Sequence, residues 1–333
     1  SSGCSGSSGL SGSHTALLAV AEHFARQGWI THIIGTVLPT KSWWQSDAAV
    51  QNHQPKYVHY KSDVHSLVCP NGNVDVVITT SALQSYERCP TRLLLIIMEG
   101  QFAFMQGGSG LWRYVKHQHL HVFNFTVVFV HLSKWGEHVF RKFHQENWLV
   151  LGEKQGWVQH RTDVFRNPVP VDVITETVHR SGPRKEQSMI FHALMERGGS
   201  LAAKVFWRVS TTWGTESRGL WVSYKAGQGE GAEREAIREC LHNHPGASVL
   251  ETGMSKPDLY AEMAKSGFFV YGLASRDGLV HYDTFANVVA EALASGILVL
   301  APPVAALPEL YGDLVTWVEP AGGLREQTRN AIR

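Results

Sequence analysis

The sequence predicts an α/β protein with two Rossmann-like, doubly wound domains facing across a cleft. Three observations predict it. The chain has 333 residues, more than one ordinary core holds and enough for two domains of about 150 residues each. Hydrophobic residues make up 44% and charged residues 18%, a balance that excludes a disordered chain. In the second half, short apolar runs alternate with amphipathic segments, the pattern of parallel strands joined by helices.

The chain opens with SSGCSGSSGLSGS, nearly all Ser and Gly. This tract reads as a flexible linker or as a Gly-rich loop whose N–H groups meet a ligand phosphate. The residues after it favour the loop. Leu17, Leu18, Val20, Ala21 and Phe24 recur at helical spacing and Gly28 is a stop. WITHIIGTV then reads as a strand, as though a first strand lay upstream of the loop. VDVVITT (74–80) and TRLLLIIM (91–98) are runs of the buried-strand type. HVFNFTVVFVHLS (121–133) is β-rich, GEHVFRKFH is helical, and WLVLG (148–152) reads as a further strand. RNPVPVDVI (166–174) carries two prolines and reads as a linker. The domain boundary is placed there, giving domains 1–168 and 169–333.

The second domain starts over with the strand SMIFHAL (188–194), which runs into ERGG (196–199). SLAAKVFWRVSTTW (200–213) is a helix and GLWVSYKA (219–226) a strand. AEREAIRECLHNHPG (232–246) is a helix and ASVLETG (247–253) a strand. KPDLYAEMAKSG (256–267) is a helix, FFVYGLA (268–274) a strand, DTFANVVAEALASG (283–296) a helix and ILVLAP (297–302) a strand. Ligands of such sheets sit at the carboxyl ends of the strands, and sites favour domain interfaces.

Composition narrows the function. Lys+Arg is 30 and Asp+Glu is 29, so a dedicated nucleic-acid binder, with its basic excess, is not expected. A local basic pocket for a phosphate stays open. No apolar run is long enough to cross a membrane. The first residues lack a basic segment followed by an apolar stretch. Cys4, Cys69, Cys89 and Cys240 show neither a Cys-x-x-Cys pair nor a zinc spacing. Free thiols in a reducing, cytoplasmic setting are therefore expected. His117, His119 and His121 alternate in KHQHLH and would share one strand face. A solvated edge is favoured over a metal site, because no carboxylate or cysteine accompanies them.

The most informative stretch is residues 268–313. Asp283 and Glu291 are eight residues apart. On one helix they would lie about 12 Å apart along its axis, enough to bracket a nucleotide sugar. Thr284, Phe285 and Ala286 would form the helix N-terminus, whose free N–H groups favour a phosphate. Taken singly, Asp283 also reads as a helix N-cap and Glu291 as a solvated helix residue. Tyr271, Asp283, Phe285, Glu291, Ala294-Ser295-Gly296, ILVLAP and Pro308-Glu309 come one after another in a fixed order. This order resembles the donor-site motif of the GT-B glycosyltransferases, most closely their family 4.

The resemblance spans about 45 residues and implies roles position by position. Glu291 matches the acidic residue that holds the ribose hydroxyls of the donor nucleotide. Asp283 matches the one near the transferred sugar, with Asp in place of the usual Glu. The backbone of Thr284 and Phe285 would face the diphosphate. Arg197, in Glu196-Arg197-Gly198 after the first strand of the second domain, matches a basic residue that contacts the diphosphate. A planar, permanently charged guanidinium suits bidentate phosphate contact and leaving-group stabilisation. The family often has a second basic residue five positions earlier; here that position is His192, and Lys204 is a substitute candidate. Gly12 and Ser13 match the glycine-rich loop that meets diphosphate and acceptor. Met254 and Ser255 lie where the family places nucleobase contacts. Many relatives carry a His after a strand of the first domain, whereas TRLLLIIM is followed by Glu99, a candidate base or sugar ligand. QGGSG (106–110) reads as a mobile loop over the acceptor pocket.

The resemblance implies a retaining glycosyltransferase using a UDP- or GDP-type nucleotide sugar, with a glycan, lipid-linked or small-molecule acceptor. It implies no cofactor and no essential metal. Trp43 and Trp44 are candidates for peripheral membrane contact with a lipid-linked acceptor, the alternative being core packing. A non-catalytic nucleotide-sugar or carbohydrate binding protein of the same fold is the second reading. A dinucleotide oxidoreductase is the third; it needs a strand before the glycine turn, and none precedes SGSSGLSG. The closing GLREQTRNAIR lacks the long final helix frequent in this fold, so truncation at that end is an expectation.

Overall fold

The computed structural model describes parts of residues 17–35, residues 56–59, 74–79, 91–98, 126–143 and 147–162, and most of 169–318. The elements up to Thr162 form one compact unit and those from Val171 onward form another.

In the first unit β1 (His32–Gly35) pairs in parallel with β2 (Lys56–His59). A second parallel sheet is built from β3 (Val74–Thr79), β4 (Thr91–Met98), β5 (Thr126–His131) and β6 (Val158–Thr162), in that order. Five of the six residues of β5 are buried, as expected of a strand covered on both faces. The connection from β5 to β6 holds α1 (Lys134–Phe143) and α2 (Asn147–Gln155). Ser133 starts α1, its hydroxyl accepting a hydrogen bond from the Gly136 amide at 3.0 Å.

The second unit keeps the alternation read from the sequence. Its elements are α3 (Val171–Arg180), β7 (Lys185–His192), α4 (Gly199–Trp213), β8 (Arg218–Val222), α5 (Glu230–Leu241) and β9 (Ala247–Val249), then α6 (Lys256–Lys265), β10 (Ser266–Val270), α7 (Asn287–Ala294), β11 (Leu298–Ala301), α8 (Leu307–Tyr311) and β12 (Thr316–Trp317). All six strands are parallel, in the spatial order β12-β11-β10-β7-β8-β9. Counted within the unit this is the doubly wound order 3-2-1-4-5-6. Strand order reverses between β7 and β10, which makes their carboxyl ends the topological switch point. Phe206 and Trp221 are fully buried and meet edge to face at 5.6 Å. The Trp221 indole donates to the Gly199 carbonyl at 3.1 Å, so the core fixes the first residue of α4.

Three expectations are corrected. WLVLG is not a strand but part of α2; a short apolar run cannot distinguish the two by periodicity. RNPVPVDVI is not linker throughout, because α3 starts inside it at Val171, directly after Pro170. The helix expected from Asp283 begins at Asn287, with Phe285 and Ala286 non-helical ahead of it. QHRT and TW, in β6 and β12, are strands that apolar patterning does not reveal.

Candidate functional site

Strand β7 ends at His192, and the chain turns through a 3-10 segment, Met195–Arg197, into α4. Gly198 closes this turn at φ 104°, a left-handed conformation that costs glycine little and other residues more. Across the switch point, Gly272 comes after β10. A Cβ on Gly272 would sit 2.9 Å from the Gly198 Cα and 3.1 Å from the Arg197 carbonyl oxygen. Only a glycine here lets the two turns approach so closely, and this contact sets the position of Arg197.

The Arg197 side chain is half-buried. Its Nε is a buried atom without a hydrogen-bond partner, as is Asn287 Oδ1 at the start of α7. A buried polar group left unpaired costs about 1–3 kcal/mol, so both positions favour a polar ligand. The turn into α7 is fixed from below, since the Tyr311 hydroxyl donates to the Ala286 carbonyl at 2.9 Å.

Glu291 lies one turn into α7 and is only 4% exposed. Lys256 Nζ stands 2.7 Å from both of its carboxylate oxygens. The Tyr260 hydroxyl donates to Oε1 at 3.1 Å. Burial, then the carboxylate beside it, push the Tyr260 phenol up, so it remains the donor. Lys256 and Tyr260 share α6, whose N-cap is Ser255. The Ser255 hydroxyl accepts from the Asp258 amide at 3.3 Å. It also donates to the Asp258 carboxylate.

His192 is buried at the end of β7, and its Nδ1 donates to the Val222 carbonyl at 3.1 Å. Burial, reinforced by the Lys256 charge, lowers its pKa to about 3, so the imidazole is neutral. The position expected to carry a second cation thus carries a neutral ring. The nearby cation is Lys256, which no sequence motif singles out. Its sequence separation from Glu291, 35 residues, hides the pairing.

The structure therefore brings Met254, Ser255 and Glu291 together through α6. It sets Arg197 at the switch point of the same sheet. Phe285 lies just ahead of α7. Gly12, Ser13, Glu99, Asp283 and Thr284 lie outside the described residues, as do His117, His119 and His121, Trp43 and Trp44. Among the described residues, no group of three or more His, Cys, Asp or Glu side chains could hold a metal. No described helix is long and apolar enough to cross a membrane.

Solved structures match this architecture. A glycosyltransferase from Rickettsia africae ESF-5 is similar over 97% of this chain and 85% of its own, with a TM-score of 0.60 at 13% identity. The chain has a GT-B fold. Two UDP-forming α,α-trehalose-phosphate synthases share it with TM-scores of 0.50 and 12% identity. The one from Burkholderia vietnamiensis matches over 76% of this chain and 63% of its own. The one from Burkholderia xenovorans matches over 78% and 68%. No protein-family model matches the chain, and no curated protein does. In the GT-B fold, as in other doubly wound sheets, the switch point is where a ligand is expected.

Proposed function

We propose that this protein is a glycosyltransferase that takes its sugar from a nucleoside diphosphate sugar held by the second unit. The observation that carries this reading is the buried, unpartnered Nε of Arg197 at the switch point of a 3-2-1-4-5-6 sheet. A permanent cation with an unused donor, fixed by the Gly198–Gly272 approach, suits a phosphate oxygen. The fold match to glycosyltransferases supports the same reading. The UDP-forming synthases make UDP sugars the first donors to try, with GDP sugars second.

In this proposal Arg197 stabilises the departing diphosphate, with the N-terminus of α7, which follows the neighbouring strand β10, supplying further positive potential. The bond from the sugar C1 to the diphosphate oxygen breaks, and the acceptor hydroxyl oxygen forms the new bond to C1. The acceptor proton passes to the departing diphosphate, so no protein base is needed and the anomeric configuration is retained. Charge stabilisation comes from side chain and backbone, and turnover is expected to survive a chelator.

The test is release of nucleoside diphosphate from UDP and GDP sugars with simple glycosides as acceptors. Product stereochemistry is read by NMR. Arg197→Ala is expected to lower turnover about 100-fold or more, in line with losing a leaving-group donor, with the fold intact. Equal turnover in the variant would remove Arg197 from the reaction. Donor binding without transfer or hydrolysis would indicate a non-catalytic binding protein.

A further inference from the structure

The carboxylate assigned to the donor ribose is already engaged at both oxygens. Both Glu291 oxygens receive Lys256 Nζ at 2.7 Å, and Oε1 also receives the Tyr260 hydroxyl. A vicinal diol makes the same two-pronged donation that the ammonium makes here. The two occupants compete for one acceptor pair. Lys256 is held where it is by its place at the start of α6, which Ser255 caps. Its side chain is mostly buried but not sealed, at 16% exposure against 5% for Glu291, so it has a way out to solvent.

We propose that Lys256 is an internal occupant of the ribose site, which the donor nucleotide must displace before its diol can reach Glu291. This rests on the donor-site reading above. Its consequence is a threshold. A ligand with both hydroxyls replaces both bonds that the ammonium gives up. A ligand without them leaves Lys256 in place and gains nothing from Glu291. Apparent affinity for the nucleotide scales with the fraction of molecules in which Lys256 has left the carboxylate. Lys256 is thus a specificity-determining residue, acting through Glu291.

The experiment is a binding cycle by calorimetry. Wild type and Lys256→Met, whose side chain is unbranched and of similar length, are each titrated with UDP and GDP and with their 2′,3′-dideoxy forms. Lys256→Met is expected to bind the ribonucleotides about ten-fold tighter than wild type, the scale of one charged hydrogen bond. The dideoxy affinities are expected to change less than two-fold. A second readout uses only the wild type. Labelling of Lys256 by an amine-acylating reagent, quantified by mass spectrometry, should rise several-fold with saturating UDP or GDP and not with the dideoxy forms. That readout holds even if Lys256→Met fails to fold. Ribonucleotides that bind both proteins equally, or bind Lys256→Met more weakly, would overturn the displacement while leaving the donor site in place. Labelling that stays level or falls on binding would do the same. No binding by either folded protein overturns the displacement and the donor site together.

Discussion

Both units bury ionisable side chains, and they solve the problem in opposite ways. In the first unit His131, at the end of β5, and His160, in β6, stack at 5.1 Å between ring centroids. They share a hydrogen bond between His131 Nε2 and His160 Nδ1, at 2.8 Å. Burial lowers the pKa of both, His131 to about 3, and each ring's proximity to other cations reinforces it. The lowered pKa values favour the uncharged rings, which avoids the cost of a buried charge, even though Glu153 Oε1 stands 2.8 Å from His160 Nε2. In the second unit Lys256 and Glu291 pair opposite charges, with Tyr260 satisfying a further lone pair. Neutral rings serve packing. An ion pair that one ligand can exchange for another serves binding. The contrast teaches that burial alone does not mark a site; the chemistry of what is buried does.

Breaking the ion pair has the largest expected effect. Glu291→Ala leaves the Lys256 ammonium mostly buried without its counter-charge. It should lower stability by about 3 kcal/mol, the lower end for a broken buried pair because Lys256 keeps an edge in water. Urea unfolding measures this, and an unchanged midpoint would show that the pair carries no weight. Next comes the approach of the two turns. Gly272→Ala drives a methyl into the Gly198 Cα and the Arg197 carbonyl. It should cost about 2 kcal/mol and lower turnover by displacing Arg197, both read on the purified variant.

The histidines sharpen the comparison through pH. The folded pKa values of His131 and His192, about 3, lie below the ordinary 6.5. The unfolded chain therefore binds protons that the folded chain refuses. Their contribution is fully present above about pH 6.5 and is lost as pH falls toward 3. Each contributes a slope of about 1.4 kcal/mol per pH unit in that window. His131→Phe should flatten the acid limb of the stability profile by about that slope, while Lys256→Met leaves the His131 share of it intact. The smallest effect is expected from Tyr260→Phe. It removes one of the hydrogen bonds on Glu291 and should cost about 1 kcal/mol, measured by thermal unfolding.

Much of the second unit is legible in the sequence. Its strands are apolar runs of a few residues separated by helical patterns, and local pattern suffices for such elements. Polar strands are not legible. Gln159, His160 and Arg161 lie in β6, which among the described residues is the last strand of the four-stranded sheet, and their polar side chains hide it from apolar patterning. WLVLG fits a strand or a helix equally, and its place in the chain decides for α2. Asp283 suggests too early a start for α7 because it is a good cap by type; the chain enters the helix at Ala286, which Tyr311 holds from 25 residues away. The site shows the same division. Arg197 and Glu291 are readable from the order of residues around them. Lys256, Tyr260 and the close approach of Gly272 are not, because each acts through a partner distant in sequence. Arg184 escapes for the same reason. Its guanidinium donates to the carbonyls of Ser295 at 2.9 Å and Gly296 at 2.5 Å, tying the end of α7 to the strand that starts the sheet.

Binding of a nucleoside diphosphate at the switch point through Arg197 underlies the proposed chemistry. A calorimetric titration of wild type and Arg197→Ala with uridine, UMP and UDP, repeated with the guanosine series, measures it. Wild type should gain affinity at the step from mono- to diphosphate, and the variant should lose this step while keeping its fold. Equal affinities along the series in both proteins, or an undiminished step in Arg197→Ala, would contradict a diphosphate held by Arg197.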